Sequence, residues 1–346
     1  MTIFDLLESS QITAYWNELL QDEAPYPCEE LFPDDKKRGL DLKWLKGAKG
    51  LPIVLKTSAF DAAAIPRARI GFEKLSAEMP YFKESMYIDE ELRQELNIVL
   101  ETGNQAYIDS VMTRIFDDEM QLLRGARASR ERMRMMALTT GVIVMANNGQ
   151  AFTYDYGLAN SQKVTVQTSW SNHASSDPIT DIRTGMEHIY DTTGEMPKRA
   201  MCDSATWRHI RANEGIANDI YARQNHVGHI TDSMLREYIA DMLDGLVIYV
   251  NAKRYNNESG TPTPFMPADT FVLFPEGTLG KTWFGTTPAE SDLMTGSAAN
   301  VSITDTGVAV VTAKKVDPVQ VETIVSMICL PSFEQADKIY IIDTSA

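Results

Sequence analysis

Cysteine is scarce. Cys28, Cys202 and Cys329 are the only three in 346 residues. They are odd in number and far apart, which argues against a disulfide framework or a zinc knuckle and fits a reducing compartment. No run of about 18 apolar residues occurs, so the sequence offers nothing to span a membrane. The start, MTIFDLLESSQ, has no basic stretch followed by an apolar one and does not read as a signal peptide. Positive charge is also short: 32 Lys+Arg stand against 48 Asp+Glu, a formal charge of −16. Such a surface repels nucleic-acid backbone and anionic membrane. That argues against affinity-driven DNA or RNA binding, but not against a protein that merely encloses nucleic acid.

The usual chemical motifs are missing as well. No G-x-G-x-x-G is present. Gly280-Lys281-Thr282 follows the apolar run TFVLF, as in a phosphate-binding loop, but Pro275 stands where that motif needs glycine and WFGTTP cannot begin its helix. His226 and His229 are three apart, yet no third ligand and no intervening glutamate accompany them, and two ligands do not make a zinc site. Cys202 and Ser204, with His209 nearby, lack the context of a nucleophile: Ser204 reads as a helix cap and Cys202 as a small buried hydrophobe. The carboxylate pairs at 34–35 and 117–118 read as solvated faces. The sequence therefore predicts no catalytic residue, cofactor site or metal site, and no enzyme.

What is present is a mixed α+β chain of ordinary composition, 44% apolar and 23% charged, long enough for two domains or for one with large excursions. Residues 3–22 have an amphipathic pattern carrying Phe4, Leu7, Ile12, Trp16 and Leu19. DEAPYPCEELFPDD follows, whose prolines predict extended chain. LPIVLKTS (51–58) reads as a strand. Then comes AAAIPRARIGFEKLSAEMPYFKESMYID (62–89), too interrupted by Pro66, Gly71 and Pro80 for a core helix. So much chain without a core of its own points to function or partners.

Residues 89–102 predict a helix. A second, 105–146, spans roughly 60 Å at 1.5 Å per residue. Its late arginines, Arg124, Arg127, Arg130, Arg132 and Arg134, could touch nucleic acid but better suit a helix C-terminus and acidic neighbours. Beyond it, KVTVQTSW (163–170) alternates as a strand does. Asp177 and Pro178 open a helix that Gly194 stops, KRAMCD is a strand, Ser204 caps the next helix, and Thr231 caps a helix over 231–244. LVIYV, TFVLF, GVAVVTAKKV, PVQVETIVSMICL and DKIYIID read as further strands.

Taken in order, PIVLKTSAFDAAAIPRARIGFEKLSAEMPYFKESMYIDEELRQEL, LLRGARASRERMRMMALTTG, TYDYGL with VTVQTSWSNHASSDPITDI, FMPADTFVLFPEGTLGKTWFG and VETIVSMICLPSFEQADKIYIIDTSA resemble the tailed-phage major capsid proteins, in the family of the phage lambda major head protein (protein E). The resemblance covers nearly the whole chain. It implies the Hong Kong 97-type fold: an N-terminal arm (1–48), an extended E-loop hairpin (49–88), a peripheral domain with a spine helix (89–170), an axial domain (171–299) and peripheral return strands (300–346). Either 251–269 or 214–230 then approaches the capsomer axis.

The function implied is a subunit that assembles with itself into hexamers and pentamers of an icosahedral shell around double-stranded DNA. The shell is made in the host bacterial cytoplasm and ends in the virion. A separate scaffolding protein, a portal and a decoration protein are the partners implied. A bacterial nanocompartment shell of the same fold is the alternative. In either, an arm that its own core does not bury is buried on a neighbour, by strand addition. Ile65, Ile70, Phe72, Leu75, Tyr81 and Phe82 are the expected anchors.

Overall fold

The computed structural model describes residues 8–46, 73–88, 105–147, 150–224, 228–293, 299–316 and 319–346, together with positions 90, 94 and 98. In chain order the elements are α1 (Ser9–Asp22), α2 (Pro27–Leu31), β1 (Asp34–Lys36), β2 (Asp41–Lys46), β3 (Glu73–Glu78), β4 (Tyr81–Ile88), α3 (Gln105–Thr140), β5 (Val142–Asn147), β6 (Gln150–Asp155), β7 (Lys163–Thr165), α4 (Pro178–Thr193), β8 (Arg199–Asp203), α5 (Ser204–Ala212), α6 (Glu214–Gln224), α7 (Asp232–Met242), β9 (Val247–Asn251), β10 (Arg254–Asn256), β11 (Pro262–Pro264), β12 (Thr270–Phe274), β13 (Thr282–Phe284), β14 (Asn300–Thr304), β15 (Val308–Val316), β16 (Val319–Pro331) and β17 (Tyr340–Asp343). They fall into two compact units: Met1–Leu42 with Ser76–Arg134 and Lys281–Ser332, and Lys43–Leu75 with Met135–Gly280 and Phe333–Ala346.

The first unit is built around β16. Its sequence is rich in β-branched residues, which favour strands, and at 13 residues it is long enough to serve several neighbours. β15 pairs along one edge, from Val316↔Val319 to Val308↔Met327. The other edge is shared: β4 takes Val321 to Ile328, and β13 takes the end, with Trp283↔Leu330. β14 lies outside β15, and β1 lies parallel to β13. Alternation buries Val308, Val310, Val325 and Met327 on one face; Ala309 and Val311 pack with Ala289 on the other.

The early residues behave differently from the sequence expectation. Helix α1 buries Ile12 and Trp16 completely. Thr13 Oγ1 lies 2.9 Å from Ser302 Oγ, and Trp16 Nε1 donates to Asp305 Oδ1 at 3.2 Å. Phe4 and Leu7 lie outside the described residues. Within the proline-rich stretch, expected to be extended, α2 forms instead. Pro27 occupies a first-turn position, where its missing N–H costs nothing, and Cys28, Leu31 and Phe32 are buried. Residues 9–36 thus find burial within their own unit.

Helix α3 explains how. Its arginines reach carboxylates 98 or more residues away. Arg124 Nε donates to Glu23 at 2.9 Å, and Arg127 holds Glu29 through Nε at 2.7 Å and Nη2 at 3.0 Å. Arg130 Nη2 donates to Asp305 at 2.6 Å, and Arg134 pairs with Asp34. The expected role at the helix C-terminus is corrected: the last turn carries no basic residue. The helix also stops at Thr140 rather than Ala146. Gly141 takes a left-handed φ of 70°, and the β-branched run after it forms the β5–β6 hairpin. Predicted: Arg130→Met, which leaves Asp305 without its buried partner, lowers stability by about 3 kcal/mol, read as a fall in the urea midpoint.

The second unit is a five-stranded sheet, β7-β17-β12-β8-β9. Helices α4, α5, α6 and α7 bury one face of it around Ile182, Met186, Trp207, Ile220, Leu235 and Phe271. The caps follow the sequence signals with one exception. Asp177 accepts the Thr180 N–H at 3.1 Å, Gly194 is left-handed, and Thr231 Oγ1 accepts the Met234 N–H at 3.3 Å. The cap of α5 is Asp203, not Ser204, since its carboxylate accepts the Ala205 and Thr206 N–H groups. The expected strand 163–170 is ordered as a strand only over β7, after which Val166 donates to Asp343 O at 3.0 Å and Trp170 turns into the core. Gly185 marks where α4 touches the sheet: a Cβ there would lie 2.7 Å from Tyr340 Cδ1 and 2.8 Å from Leu273 Cδ1. Predicted: Gly185→Ala costs about 1–3 kcal/mol through overpacking, measured by thermal unfolding.

Candidate assembly surface

Among the six expected anchors, Ile65, Ile70 and Phe72 lie outside the described residues, and Leu75 is placed only as backbone within β3. Tyr81 and Phe82 begin β4, which pairs antiparallel with β16 over its full length, from Tyr81↔Ile328 to Ile88↔Val321. Residues 81–88 therefore belong to their own sheet, and the expectation that this stretch is unburied at home is corrected for them. The pleat sorts their side chains. Ile88 is buried and Phe82 and Met86 are half-buried, whereas Tyr81, Lys83, Ser85 and Tyr87, together with Glu84, are exposed.

β4 pairs with no strand but β16 among the described residues. Its outer edge is a row of backbone donors and acceptors, the kind of edge that accepts another strand. Tyr81 is 47% exposed and Tyr87 46%, so two aromatic rings on one face of the strand stand in solvent. Tyr87 is held in place by Lys315, whose Nζ lies 4.5 Å from the ring centroid and 3.7 Å from Glu322 Oε2. β2 and β3 form a separate two-stranded ribbon, and the Met79 N–H donates to Leu40 O at 3.0 Å at its base. Polypeptide recognition by strand addition and aromatic contact is what this arrangement can do chemically.

The first unit also holds a cluster of charged side chains. A cavity of about 370 Å³ is lined by Arg127, Arg130 and Arg134 with Glu29, Asp34 and Asp305. Burial pushes Asp34 up despite Arg134 and Arg130. Burial acts upward on Glu29 most strongly, but the Arg127 hydrogen bonds and charge, the Arg134 charge and the Tyr26 N–H together outweigh it and leave the group below the usual range. Glu131, fully buried, is pushed up to about 7 by desolvation. No sequence signal marks these pairings, because the partners are far apart along the chain.

The weaker motifs resolve into packing. Lys281 Nζ pairs with Asp35 at 2.6 Å, and Thr282 Oγ1 accepts from Arg134 Nε and donates to Phe32 O. Cys202 is a free, buried thiol raised by desolvation. His226 lies outside the described residues, and His229 is exposed. An unexpected contact is His173 Nε2 with His209 Nδ1, at 3.0 Å. Among the described residues no three metal-ligating side chains cluster.

Comparison with solved structures agrees with this architecture. A prophage protein of E. coli CFT073, assigned as a capsid protein, aligns with a TM-score of 0.61 at 15% identity, over 98% of this chain and 99% of its own. A phage-related protein of Bordetella bronchiseptica RB50 gives 0.56 at 14%, over 98% and 97%. The capsid of cyanophage A-1(L) gives 0.52 at 11%, over 91% of each chain. The fold is the Hong Kong 97-type capsid fold. No curated protein sequence matches the chain. The family model described as phage major capsid protein E matches residues 10–344, so the chain belongs to the phage major capsid protein E family.

Proposed function

We propose that this major capsid protein forms the hexamers and pentamers of an icosahedral phage head around double-stranded DNA, with no catalytic role of its own. The observation that carries the reading is the edge of β4 that no described strand covers, flanked by Tyr81 and Tyr87, in a chain of a shell-forming family. Residues 49–88 act as the E-loop: Ile65, Ile70, Phe72 and Leu75 lie on a neighbouring subunit, while β4, paired to its own β16, adds Tyr81 and Phe82 at the margin of that contact. Each large apolar side chain so buried contributes about 1.5–3 kcal/mol, repeated at every subunit. Residues 1–48 are the arm, 89–170 and 300–346 the peripheral domain, and 171–299 the axial domain.

The acidic balance supports an enclosing rather than a gripping wall. At −16 per subunit the shell repels the phosphate backbone, so packaged DNA slides. A separate scaffolding protein, a portal and a decoration protein complete the particle. Assembly takes place in the bacterial cytoplasm.

Three outcomes are expected. Tyr81→Ser with Tyr87→Ser leaves the unfolding midpoint within about 0.5 kcal/mol, as exposed changes do, while shells seen by electron microscopy fall at least about tenfold, as a loss of 1.4 kcal/mol per contact would give. Normal shells from the double variant contradict the assigned contact. Free subunits bind duplex DNA more weakly than about 10⁻⁴ M at physiological salt, read by fluorescence anisotropy. Purified shells from infected cells contain DNA; shells filled with a protein cargo instead favour the nanocompartment reading.

A further inference from the structure

Two carboxylates compete for one guanidinium inside the first unit. Glu131 Oε1 accepts the Cys28 N–H at 3.1 Å, tying α3 to α2. Its Oε2 has no hydrogen-bond partner among the described residues and lies 3.9 Å from Arg134 Nη1, beyond hydrogen-bonding reach. Arg134 is turned the other way: Nη2 meets Asp34 on β1, and Nε donates to Thr282 Oγ1 on β13 at 2.8 Å. The other titratable or charged groups around the pair are Arg127 and Arg130 from α3, Tyr26, Cys28 and Glu29 from α2 and its cap, Asp305 from the β14–β15 turn and Cys329 from β16. Of these, the arginines and carboxylates already hold an opposite charge.

We propose that Glu131 is a proton-controlled latch for residues 26–36: neutral, it leaves Arg134 to Asp34 and the segment stays down; ionised, it draws Arg134 away from Asp34 and the segment loosens. The arrangement has two discrete states, because Arg134 sits between a carboxylate of the segment and a carboxylate of its own helix. The direction follows from burial. Glu131 is raised from 4.5 to about 7, so its stabilising contribution is complete below about 4.5 and is lost as pH rises through about 7. Opening that returns Glu131 to water grows by up to about tenfold per pH unit across that window. Glu29, held low, opposes this only in acid, where it loses its pairing, while Asp34, raised by burial, acts in the same direction as Glu131.

The experiment uses unassembled full-length subunits, so it is independent of any shell contact. Hydrogen exchange of peptides covering 26–36 is followed at pH 5.5, 6.5 and 7.5 in wild type and Glu131→Gln, and rates are compared at each pH so that intrinsic exchange cancels. The wild-type to variant ratio is expected to rise at least about tenfold from pH 5.5 to 7.5, while peptides in 199–212 keep a constant ratio. A constant ratio for 26–36 overturns the latch. Should Glu131→Gln fail to fold, Asp34→Asn serves instead, since it gives Arg134 to Glu131 at every pH. Exchange of 26–36, taken relative to 199–212, is then raised at pH 5.5 and flat with pH; a pH dependence like that of wild type overturns the proposal.

Discussion

Arginines along one helix must have partners, and all but Asp305 of those partners come from the start of the chain. A guanidinium taken out of water without a counter-charge costs several kcal/mol. Arg127, Arg130 and Arg134 are nearly or wholly buried, so α3 is stable in this setting only with Glu29, Asp34 and Asp305 in place. Glu29 and Asp34 belong to residues 9–36, which makes that segment a structural part of the first unit rather than a free tail. Trp16 and Arg130 both reach Asp305, which joins the segment, the helix and the β14–β15 turn at one carboxylate. The left-handed φ of 47° at Asp305 is tolerable because aspartate visits that region more readily than bulkier residues do.

With the earliest residues committed inward, what the first unit turns outward is β4. The length of β16 is the reason: β15 fills one edge, and β13 takes only the last three pairs of the other, leaving eight pairs for β4. Among the described residues β4 then ends the sheet, and Tyr81 and Tyr87 face water. Exposed strand edges are ordinarily blunted by charge or covered. Here Lys83 and Glu84 interrupt the row but two tyrosines flank them, a composition that suits a regulated contact better than indiscriminate aggregation. The second unit contrasts with this at its own edge, where Arg236 donates to Ile248 O at 2.5 Å and covers part of β9.

Much of the second unit was legible in the sequence because its signals are local. Asp177 with Pro178, Gly194, Thr231 and the apolar runs of β12 and β17 each act over a few residues, and the structure follows them. Where two local signals competed, the better-placed acceptor prevailed: Asp203, with two carboxylate oxygens for the Ala205 and Thr206 N–H groups, caps α5 ahead of Ser204. The end of α3 was misread because VIVMA carries apolar residues that fit a helix or a strand, and only the left-handed Gly141 decides. The first unit was less legible. The prolines around α2 hid a helix start, and the acidic pairs read as solvated faces conceal Asp34, whose partner lies 100 residues along the chain. A contact of that separation leaves no periodicity to find. The family resemblance supplied the architecture that local signals lacked, but it gave no warning that 9–36 and 81–88 are housed within the subunit.

Peptide-resolved hydrogen exchange of the subunit before and after assembly tests the division of labour most directly. The account predicts that 9–36 is already protected in the free subunit and changes little, while 81–88 gains protection only in the shell. Free exchange of 9–36 until assembly, or an unchanged 81–88, would contradict it.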